Sequence, residues 1–229
     1  MQSQNISAGI TMRKINQDFT YDGTMVLSLF MEVPQVCIPG NQVSEISINS
    51  RIRMQVNDLY TYASTTLYAQ AVQFLQDTQA SGFPFRPYGS GLTYDVPFNQ
   101  DCHLSLYRDQ YEYTGGAHPN TLRFSDTWEL QMGRLLTLGA LFPPGVNYQQ
   151  LLINQIILQA NANMAANPGI YFDDYRNLIV QTFNPESFYL TPQGLAIYYQ
   201  QYDIAPYASG IIVFIIPYEV LHWAPACNP

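Results

Sequence analysis

The side chains that could do chemistry are few. Histidine occurs three times, at His103, His118 and His222, and these positions fit no metal-ligand spacing. The His-Glu-x-x-His of a zinc protease is absent, and so are the Gly-x-Ser-x-Gly elbow, the phosphate-cradling Walker loop and the dinucleotide-binding glycine fingerprint. Cys37, Cys102 and Cys227 are widely spaced with no CxxC pair, which argues against a zinc or thioredoxin-type site. They allow at most one disulfide, with one thiol left over, and do not say which pair forms. Asp173 and Asp174 are adjacent, and neighbours on a helix point apart, so they read as a solvated face. No cofactor or metal is expected.

One stretch stands out, Tyr111-Glu112-Tyr113-Thr114-Gly115-Gly116-Ala117-His118-Pro119-Asn120-Thr121. Alternating, aromatic-rich sequence enters and leaves it. Gly115 and Gly116 can take positive φ and let a neighbouring backbone or a partner approach, and Pro119 fixes the exit. Tyr113 and His118 offer flat, polar-tipped rings, and Asn120 follows the proline. Such rings give a binding surface contact area at low entropy cost. The competing reading is a structural loop with His118 hydrogen-bonded into the turn. Glu112 with His118 could also meet as acid and base, and Asp203 is a second acid for such a hydrolase. A second special loop, Tyr202 to Gly210, carries Tyr202, Pro206, Tyr207 and Ser209 as further candidate binding residues. Catalytic residues are not assigned, and the expectation is a non-enzymatic binding module.

The elements that must position these loops follow from pattern. Residues 9–22 and Thr24 to Val36 alternate around Asp22-Gly23, a hairpin signal. Pro34 and Pro39 place the end of that second strand at an edge. Ile48, Ile52, Val56, Leu59, Ala63, Leu67, Ala71 and Phe74 recur at steps of three and four, so a long helix is predicted over about 43–76, with Asn41 as N-cap. Strands are predicted at Leu92 to Phe98, His103 to Tyr113 and Thr121 to Leu130. Helices follow near 148–165 and 171–182. The last part is β-rich. The unbroken run Ile211 to Ile216 reads as a central strand buried on both faces. This order gives an α+β fold with antiparallel sheets and one long packed helix, then a second α+β module. The modules are predicted as 1–127 and 128–229, with a soft boundary and a shared interface. The first carries 7 basic and 11 acidic residues and the second 2 and 6, so each has a net charge of −4.

Charge narrows the partners. The net charge is −8, and Lys14 is the only lysine. Without a basic stripe, nucleic acid is a poor partner. An acidic surface favours cationic partners, although acidity also serves simple solubility. No apolar run approaches the roughly 18–20 residues of a bilayer span. Residues 1–5 show neither the basic nor the apolar part of a signal peptide, so the chain reads as cytoplasmic or as a portion whose leader has been removed.

Tyr111 to His118 resembles the YxYTGGAH signature of a bacterial extracytoplasmic family of domains of unknown function. Gly133-Arg134-Leu135-Leu136-Thr137-Leu138-Gly139-Ala140-Leu141-Phe142, Phe188 to Leu195, Ile204 to Gly210 and Ile216-Pro217-Tyr218 resemble its later segments. The likeness covers nearly the whole chain as two adjoining modules, DUF4163 and DUF3298. The same pair forms the outer part of RsiV-type anti-sigma factors and precedes the catalytic domain of PdaC-type peptidoglycan deacetylases. The resemblance implies an exported module at the cell envelope. In the anti-sigma factors the module is a receptor for lysozyme, a basic protein. A cell-wall glycan, peptidoglycan, is the alternative ligand, motivated by the 18 tyrosines.

Overall fold

Asp22-Gly23 turns the chain between two long strands, with Asp22 at φ 47° and Gly23 at φ 77°. In the computed structural model, which describes residues 5–227, these are β1 (Gly9–Tyr21) and β2 (Thr24–Cys37), paired antiparallel. Most of the N-terminal stretch behind the leader reading, residues 1–4, lies outside the described residues.

The predicted long helix spans α1 (Gln42–Tyr62), a wider π turn (Ala63–Leu67) and α2 (Tyr68–Ser81). Asn41 caps it, its side-chain oxygen accepting the amide of Ser44 at 3.2 Å, and Gly82 ends it at φ 72°. The π turn has a sequence cause. Buried Leu59, Ala63, Leu67, Ala71 and Leu75 are spaced by four, and each such step overshoots a 3.6-residue turn by about 40°. One wide turn reabsorbs part of that drift and keeps the stripe on the sheet. Thr65 and Ser64 both donate to the carbonyl of Thr61, at 2.6 and 3.3 Å, where the helix ladder is loosened.

Strands β3 (Tyr88–Gln100), β4 (His103–Tyr113), β5 (Asn120–Glu129) and β6 (Arg134–Leu136) follow, and the six strands form one sheet in the order β1-β2-β3-β4-β5-β6. One pair departs from the antiparallel expectation: β2 and β3 are parallel over Leu27–Glu32 and Tyr88–Thr93. The helix is the crossover that parallel neighbours require. Beyond Glu32, β2 pairs only with β1, so Pro34 does sit in an edge segment. There Asn49 substitutes for a neighbouring strand. Its amide accepts from the N–H of Val36 at 3.0 Å and donates to the Val36 carbonyl at 2.7 Å.

Helices α3 (Tyr148–Ala166) and α4 (Tyr175–Gln181) come next, then β7 (Phe188–Thr191), β8 (Gly194–Tyr199), β9 (Ile212–Ile216) and the short α5 (Tyr218–Leu221). The second sheet has the order β7-β8-β9. This corrects the expectation for Ile211 to Ile216. The buried central strand is the tyrosine-containing β8, buried throughout, whereas β9 is an edge with Ile215 at 39% exposure. The α+β class holds, with its long helix and its two later helices.

The backbone packs as two compact units. A helix-bearing unit comprises Gly9–Tyr94 and Arg108–Leu122. A disulfide-bearing unit comprises the chain up to Ala8, Asp95–Tyr107 and the chain from Arg123 onward. The core of the second gathers Leu152, Ile156, Leu190, Leu195, Ile197 and Phe214, among others. The pairing that spacing could not assign is Cys102–Cys227, which leaves Cys37 free and exposed.

Candidate functional site

The glycine loop joins β4 to β5 in the helix-bearing unit. Its two glycines are not equivalent. Gly115 sits at φ 81°, and a Cβ there would lie 2.8 and 2.9 Å from ring carbons of Phe74 on α2. Phe74 in turn packs on Phe85 and Tyr88, at centroid distances of 5.8 and 5.5 Å. Gly115 thus lets the loop close over an aromatic cluster. The positive φ expected of both glycines belongs to Gly115 alone: Gly116 has none, and a Cβ there would meet nothing within 4 Å. His118 is exposed, with Nδ1 3.0 Å from the carbonyl oxygen of Pro119. A carbonyl only accepts, so that nitrogen is the donor. Tyr113 is half-buried and Asn120 exposed.

Beside the loop lies an open depression of about 320 Å³ lined by Tyr62, Gln110, Glu112, Asn120 and Leu122. Alternation along β4 and β5 puts Gln110, Glu112, Asn120 and Leu122 on one face. Tyr62 comes from the last residue of α1, immediately before the π turn. Its hydroxyl donates to the Glu112 carboxylate; burial first, then this bond and the nearby charge, push the Tyr62 phenol up. Burial and the same carboxylate also push Tyr88 up. The arrangement is a fixed carboxylate among two carboxamides and a phenol. It suits hydrogen bonding to a cationic or polyhydroxylated group.

The second predicted loop lies in the disulfide-bearing unit and is anchored from below. Ile204 and Ala205 are buried at 0% and 1% exposure, and the Ile204 carbonyl accepts from Phe172 at 3.0 Å. Ser209 donates through Oγ to the carbonyl of Ile170 at 3.1 Å and through its amide to Pro206 at 2.9 Å. Tyr202 is exposed at φ 69°, its ring 5.9 Å from that of Tyr207. Asp203 accepts the amide of Gln200 at 2.7 Å through Oδ2. Burial raises its carboxyl and that bond offsets the rise in part. The candidate binding residues therefore divide. Tyr113, Gly115, Gly116, His118 and Asn120 lie in one unit, and Tyr202, Pro206, Tyr207 and Ser209 in the other. Of the hydrolase pairings, Glu112 engages Tyr62 and Asp203 engages its own turn.

Two features escape a reading of the sequence. Arg123 stacks over Tyr107 at 3.8 Å, and Tyr107, Tyr189 and Tyr198 continue as a ladder with ring spacings of 5.0 and 6.0 Å. Gln200 clamps Arg123 at both backbone groups, at 2.9 and 2.6 Å. Tyr107 is pushed up to about 12, chiefly by burial and then by its bond to Asp95. The other is an open depression of about 480 Å³ lined by Tyr218, Glu219, His222, Trp223 and Ala224. Local patterning marks neither, because their members meet only through strand pairing and the C-terminal turn. Among the described residues, no three metal-ligating side chains cluster, and no helix is long and apolar enough to cross a membrane.

Comparison with known proteins agrees with this architecture. Residues 139–219 match the family described as "Protein of unknown function (DUF3298)", and residues 15–121 match "Deacetylase PdaC". No curated protein matches the chain. A DUF3298 family member from Bacteroides fragilis NCTC 9343 superposes with a TM-score of 0.71 at 21% identity, over 99% of this chain and 97% of that one. A DUF3298 family protein from Pseudomonas aeruginosa PAO1 superposes with a TM-score of 0.61 at 19% identity, over 96% and 98% of the two chains. The DUF3298 and PdaC parts of the sequence resemblance are thereby borne out: a PdaC-like region that carries the glycine loop is followed by a DUF3298-like region that carries the Tyr202 loop, on the fold of DUF3298 proteins of known structure.

Proposed function

We propose that this chain is a non-enzymatic, extracytoplasmic binding module of the cell envelope, and that it meets a basic protein at the Glu112 depression. The observation that carries this reading is the Glu112 carboxylate held by Tyr62 among the amides of Gln110 and Asn120 in an open hollow. On a chain of net charge −8, such a group pairs with an arginine or lysine offered by a partner. The family resemblance names lysozyme as the candidate. The Cys102–Cys227 disulfide supports an exported protein, since structural disulfides persist in oxidising compartments.

Binding to a c-type lysozyme, measured by calorimetry at low and moderate salt, tests the proposal. Salt should weaken the complex, and Glu112→Gln should weaken it about tenfold or more, the loss expected for one charge-assisted hydrogen bond. No binding at high micromolar concentration would sink it. A second reading, an accessory module that binds peptidoglycan, is favoured by the other depression. There the Tyr218 and Trp223 rings stand 5.8 Å apart at 68°, beside Glu219 and His222. Co-sedimentation with purified peptidoglycan separates the two, because Trp223→Ala should abolish only this activity.

A further inference from the structure

We infer that the outer edge of β1 is an interface with a second copy of this chain, paired antiparallel about a two-fold axis through Asn16. β1 ends the six-stranded sheet, with β2 on one side and no strand on the other among the described residues. It runs for 13 residues and is half-buried or exposed along all of them. Such an edge offers a row of unpaired amides and carbonyls, and proteins usually blunt it with a proline, a bulge or a short strand. None of these is present in β1. Between Ile10 and Tyr21 it contains neither proline nor glycine. The irregularity at Phe19/Thr20 places its extra residue, Val26, in β2, so β1 itself stays regular.

The charges select a register. Phe19 packs against Tyr60 and Tyr68 of the helix, at 6.5 and 6.1 Å, so the odd-numbered side chains of β1 face the helix. Met12, Lys14, Asn16 and Asp18 occupy the other face. A two-fold axis perpendicular to the sheet keeps the faces of both copies aligned. Paired residue numbers must then sum to an even value. A sum of 30 sets Lys14 against Asn16, and a sum of 34 sets it against Thr20. A sum of 32 sets Lys14 against the second copy's Asp18, twice, with Asn16 facing itself on the axis. It also places Ile15, exposed at 36%, beside Gln17 across the interface. Lys14 already lies 3.7 Å from Glu32 of β2, which holds its ammonium on this face. A lysine in the middle of an edge strand repels strands that bring no counter-charge, and a second copy in this register brings one.

Light scattering and sedimentation over about 5–500 µM should show a concentration-dependent dimer. Lys14→Glu and Asp18→Lys should each weaken it about tenfold or more, since each sets like charges opposite one another. An equimolar mixture of these two variants should recover the dimer, because the heterodimer restores both pairs. In a Cys37→Ser background, Asn16→Cys should oxidise to a linked dimer while Lys14→Cys stays monomeric on a denaturing gel. A monomer at every concentration overturns the inference. So does equal cross-linking at positions 14 and 16, or a dimer indifferent to both charge variants, each checked for folding by circular dichroism.

Discussion

The two compact units use the same kinds of residue to opposite ends. In the disulfide-bearing unit, β7 and β8 are buried at every position, tyrosines included. Tyr199 donates to the Ile179 carbonyl at 3.0 Å and Tyr218 to the Thr191 carbonyl at 2.8 Å. In the helix-bearing unit, Tyr62, Glu112 and Asn120 surround an open hollow, and among the described residues the long β1 strand ends its sheet. Tyrosine count alone, read as glycan-binding potential, does not distinguish these uses. A phenol pinned to a buried carbonyl is structural, whereas one donating to a carboxylate at a hollow can exchange that bond for a ligand. The contrast sets phenols pinned to carbonyls in the disulfide-bearing unit against a phenol beside an open carboxylate in the helix-bearing one.

Gly194→Ala should break the rigid unit most severely. Gly194 sits at φ 153°, and a Cβ there would collide with the backbone carbonyl of Ile216 on the neighbouring strand. Backbone cannot yield as a side-chain tip can, so a loss of about 4 kcal/mol or more is expected in denaturant unfolding. Removing the disulfide as Cys102→Ser/Cys227→Ser comes next. It releases a constraint across 125 residues of sequence and should cost about 2–4 kcal/mol, visible as a lower Tm of this unit.

Gly115→Val should cost about 3 kcal/mol, within the range of the disulfide, by adding positive-φ strain to overlap with Phe74. Gly116→Val should stay within about 0.5 kcal/mol, as an exposed substitution with no neighbour to displace. Equal losses at the two glycines would erase the distinction drawn between them. The smallest effect concerns Tyr107. Its folded pKa lies above the unfolded value, so the protonated phenol is favoured by folding. That contribution is complete below about pH 10 and is lost as pH rises toward about 12. Tyr107→Phe should flatten the alkaline fall in stability over that window, and an unchanged slope would assign the fall to other groups.

The legible parts of this chain were those written by local rules. Asp22-Gly23 marked the hairpin, Asn41 the helix start, and the three- and four-residue steps the buried stripe, because backbone geometry and periodic burial act over a few residues. Thr114 to Pro119 was legible as a loop for the same reason. Gly115 and Gly116, however, look identical in sequence. Only the approach of Phe74, from a helix more than thirty residues earlier, separates them. The same holds for Ile211 to Ile216, whose apolar run implied a centre. Strand order is a long-range property, and it gave the centre to β8.

By itself, then, the sequence determined the α+β class, the long helix, the turn positions and the acidic balance, since composition and short-range patterning carry these; the family likeness rests on its motifs. Tertiary structure alone decided which cysteines pair, where the helix widens into a π turn beside Tyr62, and how Tyr62, Gln110, Glu112, Asn120 and Leu122 come to share one hollow. Those outcomes depend on which distant segments become neighbours, and residue spacing along a chain does not encode distance across a sheet.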